Sequence, residues 1–186
     1  FILDSQRAIR YRGRVDDPSE LKFKEGDKLA FLVPGETTDK LLIFASDGRF
    51  FTLACDKLPG ARGHGEPVRL MIDLDDKVGI VDVFIHKPGA KRVLASKEGY
   101  GFILPEEDAI AFRRAGKQVL NGTALVSLLK NGADQIAVIG DNGKLLIFEA
   151  ADLPEMPRGK GVKLQSYREG GLRDAAAFKS EEGLAT

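Results

Sequence analysis

The chain has 186 residues, of which 43% are hydrophobic, and its 28 lysines and arginines balance 28 aspartates and glutamates. This length and composition fit one compact domain or a closed array of small units, and they exclude a disordered protein. Apolar runs such as 41–45 and 145–148 are far shorter than the roughly 20 residues that span a bilayer, which excludes a transmembrane helix. The single cysteine, Cys55, excludes an intramolecular disulfide and a multi-cysteine metal site and fits a reducing cytosol.

The zero net charge hides a local sorting of charge, and local clusters matter more than the total for the choice of partner. Acidic residues gather at 73–76 and at 106–108. Basic residues gather in three clusters, which are Arg7, Arg10, Arg12 and Arg14, then Arg113, Arg114 and Lys117, and finally Arg158, Lys160 and Lys163.

The first predicted unit is a β-hairpin over residues 1–10, although its turn around Ser5-Gln6 lacks glycine. The segment 23–29 lies where this unit should close. No basic and apolar segments of a secretory signal follow Phe1, and we expect the chain to be a portion of a larger polypeptide.

Three clearer hairpins follow at 40–53, 91–104 and 135–148. Each consists of an apolar run rich in β-branched and aromatic residues, a turn that contains glycine, and a second such run. Asp47-Gly48 and Asn142-Gly143 supply the positive φ that tight hairpin turns require. Repeats of about 40 to 50 residues with several short strands each are typical of radial β arrays, so the predicted fold class is all-β.

Connectors rich in proline and glycine separate the hairpins. Leu58-Pro59 and Leu153-Pro154 end a strand, and the paired glycines of 62–65 and 158–161 allow a sharp bend before the next one. The segment from Glu106 to Ala115 takes this place after the hairpin at 91–104, and we predict a one-turn helix or a loop there. Residues 177–184 repeat the pattern, which predicts four repeats and the opening of a fifth.

These pieces, in this order, resemble the C-terminal domains of topoisomerase IV A subunits. The resemblance rests on the run 95–102, on 58–67, and on Asp152-Leu153-Pro154 followed by 158–161, and it extends over nearly the whole chain. It implies a β-pinwheel, a propeller-like ring of about five blades of antiparallel strands that exchange strands with their neighbours. It also implies that residues 1–186 form a single domain, excised from the C-terminal portion of a larger subunit.

The resemblance further implies that the domain binds and bends duplex DNA without sequence preference and positions it for ATP-dependent strand passage, decatenation and supercoil relaxation. It places the catalytic residues in the N-terminal region of the same polypeptide, and the use of ATP and Mg²⁺ elsewhere in the holoenzyme. No catalytic residue and no cofactor are expected in this chain. The expected partners are double-stranded DNA, that N-terminal catalytic region and the B subunit of topoisomerase IV, in the cytoplasm at the nucleoid and without contact to a membrane.

The related gyrase A subunit carries a box resembling Gln-Arg-Arg-Gly-Gly-Lys-Gly that is needed for chiral wrapping of DNA. Only 157–161 and 61–65 come near it here, which favours a topoisomerase IV domain over a gyrase domain.

The candidate DNA-binding residues are the basic side chains that a ring would bring to its rim, because cations there release the condensed counterions of DNA. Arg7, Arg10, Arg12 and Arg14 lie along a predicted strand, and the evenly spaced ones among them could lie on one face of it. Charges that protect an exposed strand edge against aggregation explain these arginines equally well. A solvated turn is the alternative for 158–161, but its recurrence at the ends of other units favours phosphate contact. The full candidate set is Arg10, Arg12, Arg14, Arg49, Arg62, His64, Arg113, Arg114, Lys117, Lys144, Arg158, Lys160 and Lys163.

Other kinds of site find little support. His64 and His86 are too few for a metal site and are predicted at the surface, and no Gly-x-Gly piece completes a nucleotide-binding motif. The acidic runs are predicted to be solvated faces, and Tyr100 is predicted to pack within a blade. A protein-interaction scaffold built on a propeller is the main alternative function, and an enzyme on a propeller ranks below it because no convergent catalytic set is present.

Overall fold

The protein folds into successive antiparallel sheets, and a computed structural model describes residues 1–13, 15–60, 63–166 and 168–183. In chain order the strands of these residues are β1 (Ile2–Asp4), β2 (Ala8–Arg10), β3 (Leu29–Leu32), β4 (Lys40–Ala45), β5 (Arg49–Ala54), β6 (Glu66–Pro67), β7 (Ile80–Ile85), β8 (Lys91–Ser96), β9 (Tyr100–Pro105), β10 (Lys117–Gln118), β11 (Ala124–Leu129), β12 (Gln135–Gly140), β13 (Leu145–Glu149), β14 (Val162–Lys163) and β15 (Leu172–Phe178). Short 3-10 turns lie at Pro18–Glu20, Cys55–Lys57, Val68–Leu70, Glu106–Ala109 and Ala150–Asp152.

The described strands form four sheets, each built around one predicted hairpin. The strand orders are β3-β1-β2-β6, β10-β5-β4-β7, β11-β8-β9-β14 and β13-β12-β15. The all-β class and the hairpins at 1–10, 40–53, 91–104 and 135–148 are therefore confirmed. The 3-10 turn at Glu106–Ala109 likewise confirms the predicted one-turn helix. No helix of the described residues is long and apolar enough to cross a membrane.

Three of the sheets are completed by a strand from the next repeat along the chain. The two-residue strand β6 follows the second hairpin but pairs with β2 of the first. Likewise, β10 follows the third hairpin but pairs with β5 of the second, and β14 follows the fourth hairpin but pairs with β9 of the third. Neighbouring repeats are thereby joined by backbone hydrogen bonds.

A glycine with positive φ precedes each exchanged strand. Gly65, Gly116 and Gly161 have φ of 85°, 73° and 82°. At each of them the backbone lies directly against a carbonyl of the strand that it joins. A Cβ at Gly65 would be 2.6 Å from the oxygen of Ile9, one at Gly116 would be 2.7 Å from that of Phe50, and one at Gly161 would overlap that of Gly101.

The core consists of three hydrophobic clusters, each of which lies between two consecutive sheets. Residues 41–45 of β4 are all buried, because Leu41 and Ile43 face the first cluster while Leu42 and Phe44 face the second. The rings of Phe44 and Phe50 stack at 4.4 Å within that second cluster. Burial on both faces explains why the central hairpins read as continuous apolar runs rather than as an alternation of apolar and polar residues.

The end of the chain differs from the prediction. About five blades were expected, and the described residues form four sheets. Ala177 and Phe178 do not open a fifth repeat but complete β15, in which Phe178 is paired with Gln135 of the fourth sheet, and Leu184 lies outside the described residues. In the part of the chain that the structure describes, the outer edge of β13 has no further strand, and its Leu145 and Ile147 are exposed.

Two predictions about charged segments are wrong. The strand β2 comprises only Ala8–Arg10, so Arg7, with φ of 63°, and Arg12 lie outside it and do not share one strand face with Arg10. The acidic run 106–108 is not a solvated face throughout, because Glu106 is 1% exposed.

Glu106 is buried because it belongs to a network of charged side chains. It accepts from Arg92 Nε at 3.1 Å, and its other oxygen lies 3.1 Å from Nδ1 of His86, whose side chain is only 11% exposed rather than at the surface as predicted. Arg92 also donates to Asp82, where burial raises the pKa of the carboxyl although the guanidinium of Arg92 opposes this shift. The network neutralises a buried guanidinium, whose charge would be costly without partners.

We expect Gly161→Ala to destabilise the fold far more than Gly26→Ala. Both glycines have a positive φ, of 82° at Gly161 and 78° at Gly26, but a Cβ at Gly26 meets nothing within 4 Å. Gly26→Ala should therefore cost about 1 kcal/mol for the left-handed backbone alone. Gly161→Ala should cost about 3 kcal/mol or more, because the exchanged strand must also move. Denaturant unfolding measures both variants, and equal losses would contradict the account of strand exchange.

We also expect the thiol of Cys55 to react slowly in the folded protein. The residue is buried, and desolvation raises its pKa to about 11. Since only the thiolate attacks a disulfide reagent, its reaction at pH 8 should be at least about 100-fold slower than that of a free cysteine. Colour development with a chromogenic disulfide measures the rate, and full reactivity should return in guanidinium chloride.

Candidate nucleic-acid interface

Most of the candidate basic residues lie in the connectors, the segments that follow each hairpin at 11–28, 55–74, 106–123 and 150–171. The strands at the other edge of the sheets approach one another, since β7 contacts β11 and β11 contacts β15. The exchanged strands of the connectors occupy the opposite edge of each sheet. The connectors therefore form the outer side of the array, which we call the connector rim.

Consecutive connectors are hydrogen-bonded to one another. Tyr11 donates its backbone N–H to the carbonyl of Pro59 at 2.9 Å, and Asp73 donates to that of Arg114 at 2.8 Å. Between the third and fourth connectors, Gly159 donates to Val119 at 2.8 Å. The rim is thus a continuous backbone band rather than a set of separate loops.

The same arginine position recurs along this band. Arg62, Arg113 and Arg158 each stand three residues before the glycine that precedes an exchanged strand. Arg113 and Arg158 are exposed, whereas Arg62, like the candidate Arg14, lies outside the described residues.

Several candidate cations are exposed and have no side-chain partner among the described residues. Arg113, Arg158 and Lys163 belong to the rim of the third and fourth connectors, and Arg12 to that of the first. His64 is also exposed, on the second connector, as predicted. Lys144 is exposed too but belongs to the turn between β12 and β13.

Other candidates are engaged within the fold. Arg10 is 8% exposed and donates to the carbonyls of Gly63 and Lys22 at 2.8 and 2.7 Å, which ties its strand to two connectors. Arg49 pairs with Asp47 at 2.7 Å, and Lys117 donates to the carbonyl of Asp108.

Arg114 and Lys160 remain exposed but have partners. Arg114 donates to the carbonyls of Leu70 and Arg69 and lies 3.5 Å from Asp73. The ammonium of Lys160 lies 3.9 Å from the ring centroid of Tyr100. Tyr100 is half-buried in β9, in accord with its predicted packing in a blade.

Exposed carboxylates lie among the basic residues of every connector, for example Asp17 on the first, Glu107 on the third and Glu155 on the fourth. On the second connector Asp73 is exposed, and Asp75 and Asp76 are exposed directly after it, where Asp76 is paired with Arg69 at 3.7 Å. The stretches 109–123 and 156–166 of the third and fourth connectors nevertheless contain no acidic residue, so no carboxylate interrupts the cations there. Within the described ranges, no three His, Cys, Asp or Glu side chains are grouped so as to hold a metal ion.

The rim also carries a side chain that sequence reasoning did not single out. Phe112, next to Arg113, is 93% exposed. Exposure of a single aromatic residue leaves no periodic signal in a sequence, so only the structure reveals it.

Comparison with known proteins identifies relatives for most of the chain. A family model described as the DNA gyrase C-terminal domain, a β-propeller, matches residues 39–87, 93–123 and 134–176. The A subunit of DNA topoisomerase 4 from Caulobacter vibrioides is 71% identical over 98% of this chain, and that from Rickettsia bellii is 37% identical over 94%. The chain spans 24% of the length of each of these two relatives.

A solved structure agrees with these relatives. The C-terminal domain of the E. coli ParC protein superposes with a TM-score of 0.89 at 27% identity, covering 96% of this chain and 78% of that one.

Arg113 and Arg114 were both predicted to contact DNA, but only Arg114 has hydrogen-bond partners within the described residues for its side chain. We expect Arg114→Gln to lower the free energy of unfolding by about 1 kcal/mol, because it removes charge-assisted bonds that are partly screened by solvent. That loss corresponds to a melting temperature lower by about 2 to 4 °C in a chain of this size. Arg113→Gln should leave thermal unfolding unchanged, and an equal loss in both variants would show that Arg113 has a structural role.

Proposed function

Because the chain belongs to the DNA gyrase C-terminal domain family of β-propellers, and within it to the C-terminal domains of topoisomerase IV A subunits, we propose that it binds and bends duplex DNA without sequence preference. The observation that carries this proposal is the continuous connector rim with unpaired cations on consecutive repeats. Arg113, Arg158 and Lys163 are exposed there without a side-chain partner among the described residues.

The chemistry of these side chains suits the phosphate backbone. Arginine and lysine neutralise phosphates and release condensed counterions, which supplies affinity without reading the bases. A rim that presents them on successive repeats favours contact with successive stretches of a duplex that curves around it. Arg12, His64 and Lys160 are further contacts of this proposal, and Arg14, Arg62 and Lys144 remain in the candidate set.

The engaged cations have a different part in this proposal. Arg10 holds two connectors in place, while Arg49, Arg114 and Lys117 fix the third connector and add positive potential behind the contacting residues. Removing them would therefore change the shape of the rim as well as its charge.

In the complete enzyme the domain would position DNA for strand passage, decatenation and supercoil relaxation. The catalytic residues would lie in the N-terminal region of the same polypeptide, and ATP and Mg²⁺ would act elsewhere in a holoenzyme that contains the B subunit of topoisomerase IV. The place of action would be the nucleoid in the cytoplasm.

A second candidate function, protein contact, is favoured by one observation. Leu145, Leu146 and Ile147 of β13 are 56%, 41% and 47% exposed on a strand whose outer edge is unpaired within the described residues. Such an edge can accept a strand from another protein. This function would be independent of the cations of the connector rim.

Removing the three unpaired rim cations should weaken DNA binding and its salt dependence. We expect the full-length polypeptide with Arg113→Gln, Arg158→Gln and Lys163→Gln to show a slope of log K against log salt that is smaller by up to about 3, since each lost phosphate contact contributes about 0.9. Titration of a labelled duplex of about 40 base pairs at several salt concentrations measures this slope.

The matched control replaces Lys87, Lys130 and Lys179 by glutamine, in the turns that follow β7, β11 and β15. This variant loses the same charge away from the connectors and should keep the slope of the unmodified protein. Equal slopes for both triple variants would reject the connector rim as the DNA-binding surface.

A further inference from the structure

Phe112 is the most exposed large apolar side chain of the described residues. Its side chain is 93% exposed on the third connector, next to the unpaired cation Arg113. A single exposed apolar residue on a flexible loop has no special meaning. The loop that carries Phe112, however, is fixed by hydrogen bonds on both sides.

On the N-terminal side, Ala111 donates its backbone N–H to the hydroxyl of Thr52 at 2.9 Å. On the C-terminal side, Gly116 donates to the carbonyl of Arg113 at 3.0 Å, and Arg49 donates to that of Ala115 at 3.1 Å. The connection between Arg114 and Asp73 ties the same segment to the second connector. The backbone therefore holds Phe112 in an outward position before any partner arrives.

The repeats themselves show that a connector does not need phenylalanine at this position. Counted back from the glycine that precedes each exchanged strand, the equivalent residues are Ala61 and Pro157. The neighbouring arginine is kept in all three repeats, as Arg62, Arg113 and Arg158. The third connector thus combines the shared arginine with an apolar side chain that contributes nothing to the packing of the fold.

We propose that Phe112 is a wedge that inserts between stacked base pairs of the bound duplex while Arg113 contacts the adjacent phosphate. This inference rests on the proposed function. Apolar side chains that enter a base step unstack it partly and kink the duplex, and the bend allows more of the protein surface to contact DNA. An aromatic residue beside an unpaired guanidinium suits a polyanion with stacked aromatic bases better than it suits an apolar protein surface.

The wedge also implies a mild preference for certain base steps. Pyrimidine–purine steps such as TA and CA unstack most easily, so a duplex should settle with such a step at Phe112. Contacts of Arg158 and Lys163 with phosphates add affinity at any sequence. The preference therefore affects where along a duplex the protein binds, and it does not define a recognition sequence.

The test uses the full-length polypeptide with a duplex of about 40 base pairs that carries 2-aminopurine next to a central TA step and a fluorophore pair at its ends. We expect the unmodified protein to raise 2-aminopurine fluorescence and to shorten the distance between the duplex ends. Phe112→Ala, which introduces the residue of the second connector, should abolish the 2-aminopurine signal, reduce the bend and lower affinity about tenfold. Its salt slope should not change, because no phosphate contact is lost.

Two further variants are matched to this one. Phe112→Leu keeps an apolar wedge and should retain most of the fluorescence signal. Leu129→Ala removes a partly exposed apolar side chain of the third sheet, away from the connector rim, and should behave like the unmodified protein. All variants differ only within this chain, so DNA binding elsewhere in the full-length polypeptide contributes equally to each measurement.

The outcomes separate the wedge from the proposed function. If Phe112→Ala matches the unmodified protein in signal, bend and affinity while the triple cation variant loses salt dependence, the wedge is wrong and DNA binding at the rim stands. If neither variant differs from the unmodified protein, the rim does not bind DNA, and the proposal that Phe112 is a wedge is rejected as well. A Phe112→Ala variant that only loses assembly with other parts of the enzyme would also overturn the wedge, in favour of a protein contact.

Discussion

The antiparallel pairing of a two-residue strand with the preceding sheet is the constraint on which the rest of the structure depends. It requires that the chain leave one sheet, turn at a glycine with positive φ and approach a carbonyl of the preceding sheet more closely than any Cβ permits. Each repeat thereby completes the sheet of its neighbour, so stability belongs to pairs of repeats, as in other repeat architectures. The connectors are held at the outer edge as a direct consequence.

This constraint also shapes the chemistry of the rim. Arg113 and Arg158, each three residues before such a glycine, extend into solvent. Part of the positive charge is nevertheless used to hold the connectors themselves, as with Arg10 and Arg114. The number of cations available to a partner is therefore smaller than the number of basic residues in the connectors.

Much of this fold could be predicted from the sequence, because hairpins have local signals. Asp47-Gly48 and Asn142-Gly143 mark two of the turns, and the repeated glycines mark the connectors. The last strand was misassigned because residues 175–178 of β15 form an apolar run like the first strand of a hairpin, and only the pairing of β15 with β12 distinguishes it. The burial of Glu106 could not be predicted either, since its partner Arg92 is brought to it by the fold and not by any local pattern.

The balance of 28 basic and 28 acidic residues is compatible with a polyanion-binding surface because the two signs are unevenly distributed along the chain. Glu106 and Asp82 both pair with the buried guanidinium of Arg92, and Asp47 pairs with Arg49. The stretches 109–123 and 156–166 of the third and fourth connectors contain no acidic residue, whereas exposed carboxylates lie elsewhere on the rim. A duplex that follows the rim would therefore be held most firmly by the third and fourth connectors, which is also where Phe112 lies. The uninterrupted cations and Phe112 thus lie on the same part of the connector rim. The distribution of charge, rather than its total, decides how strongly DNA is bound.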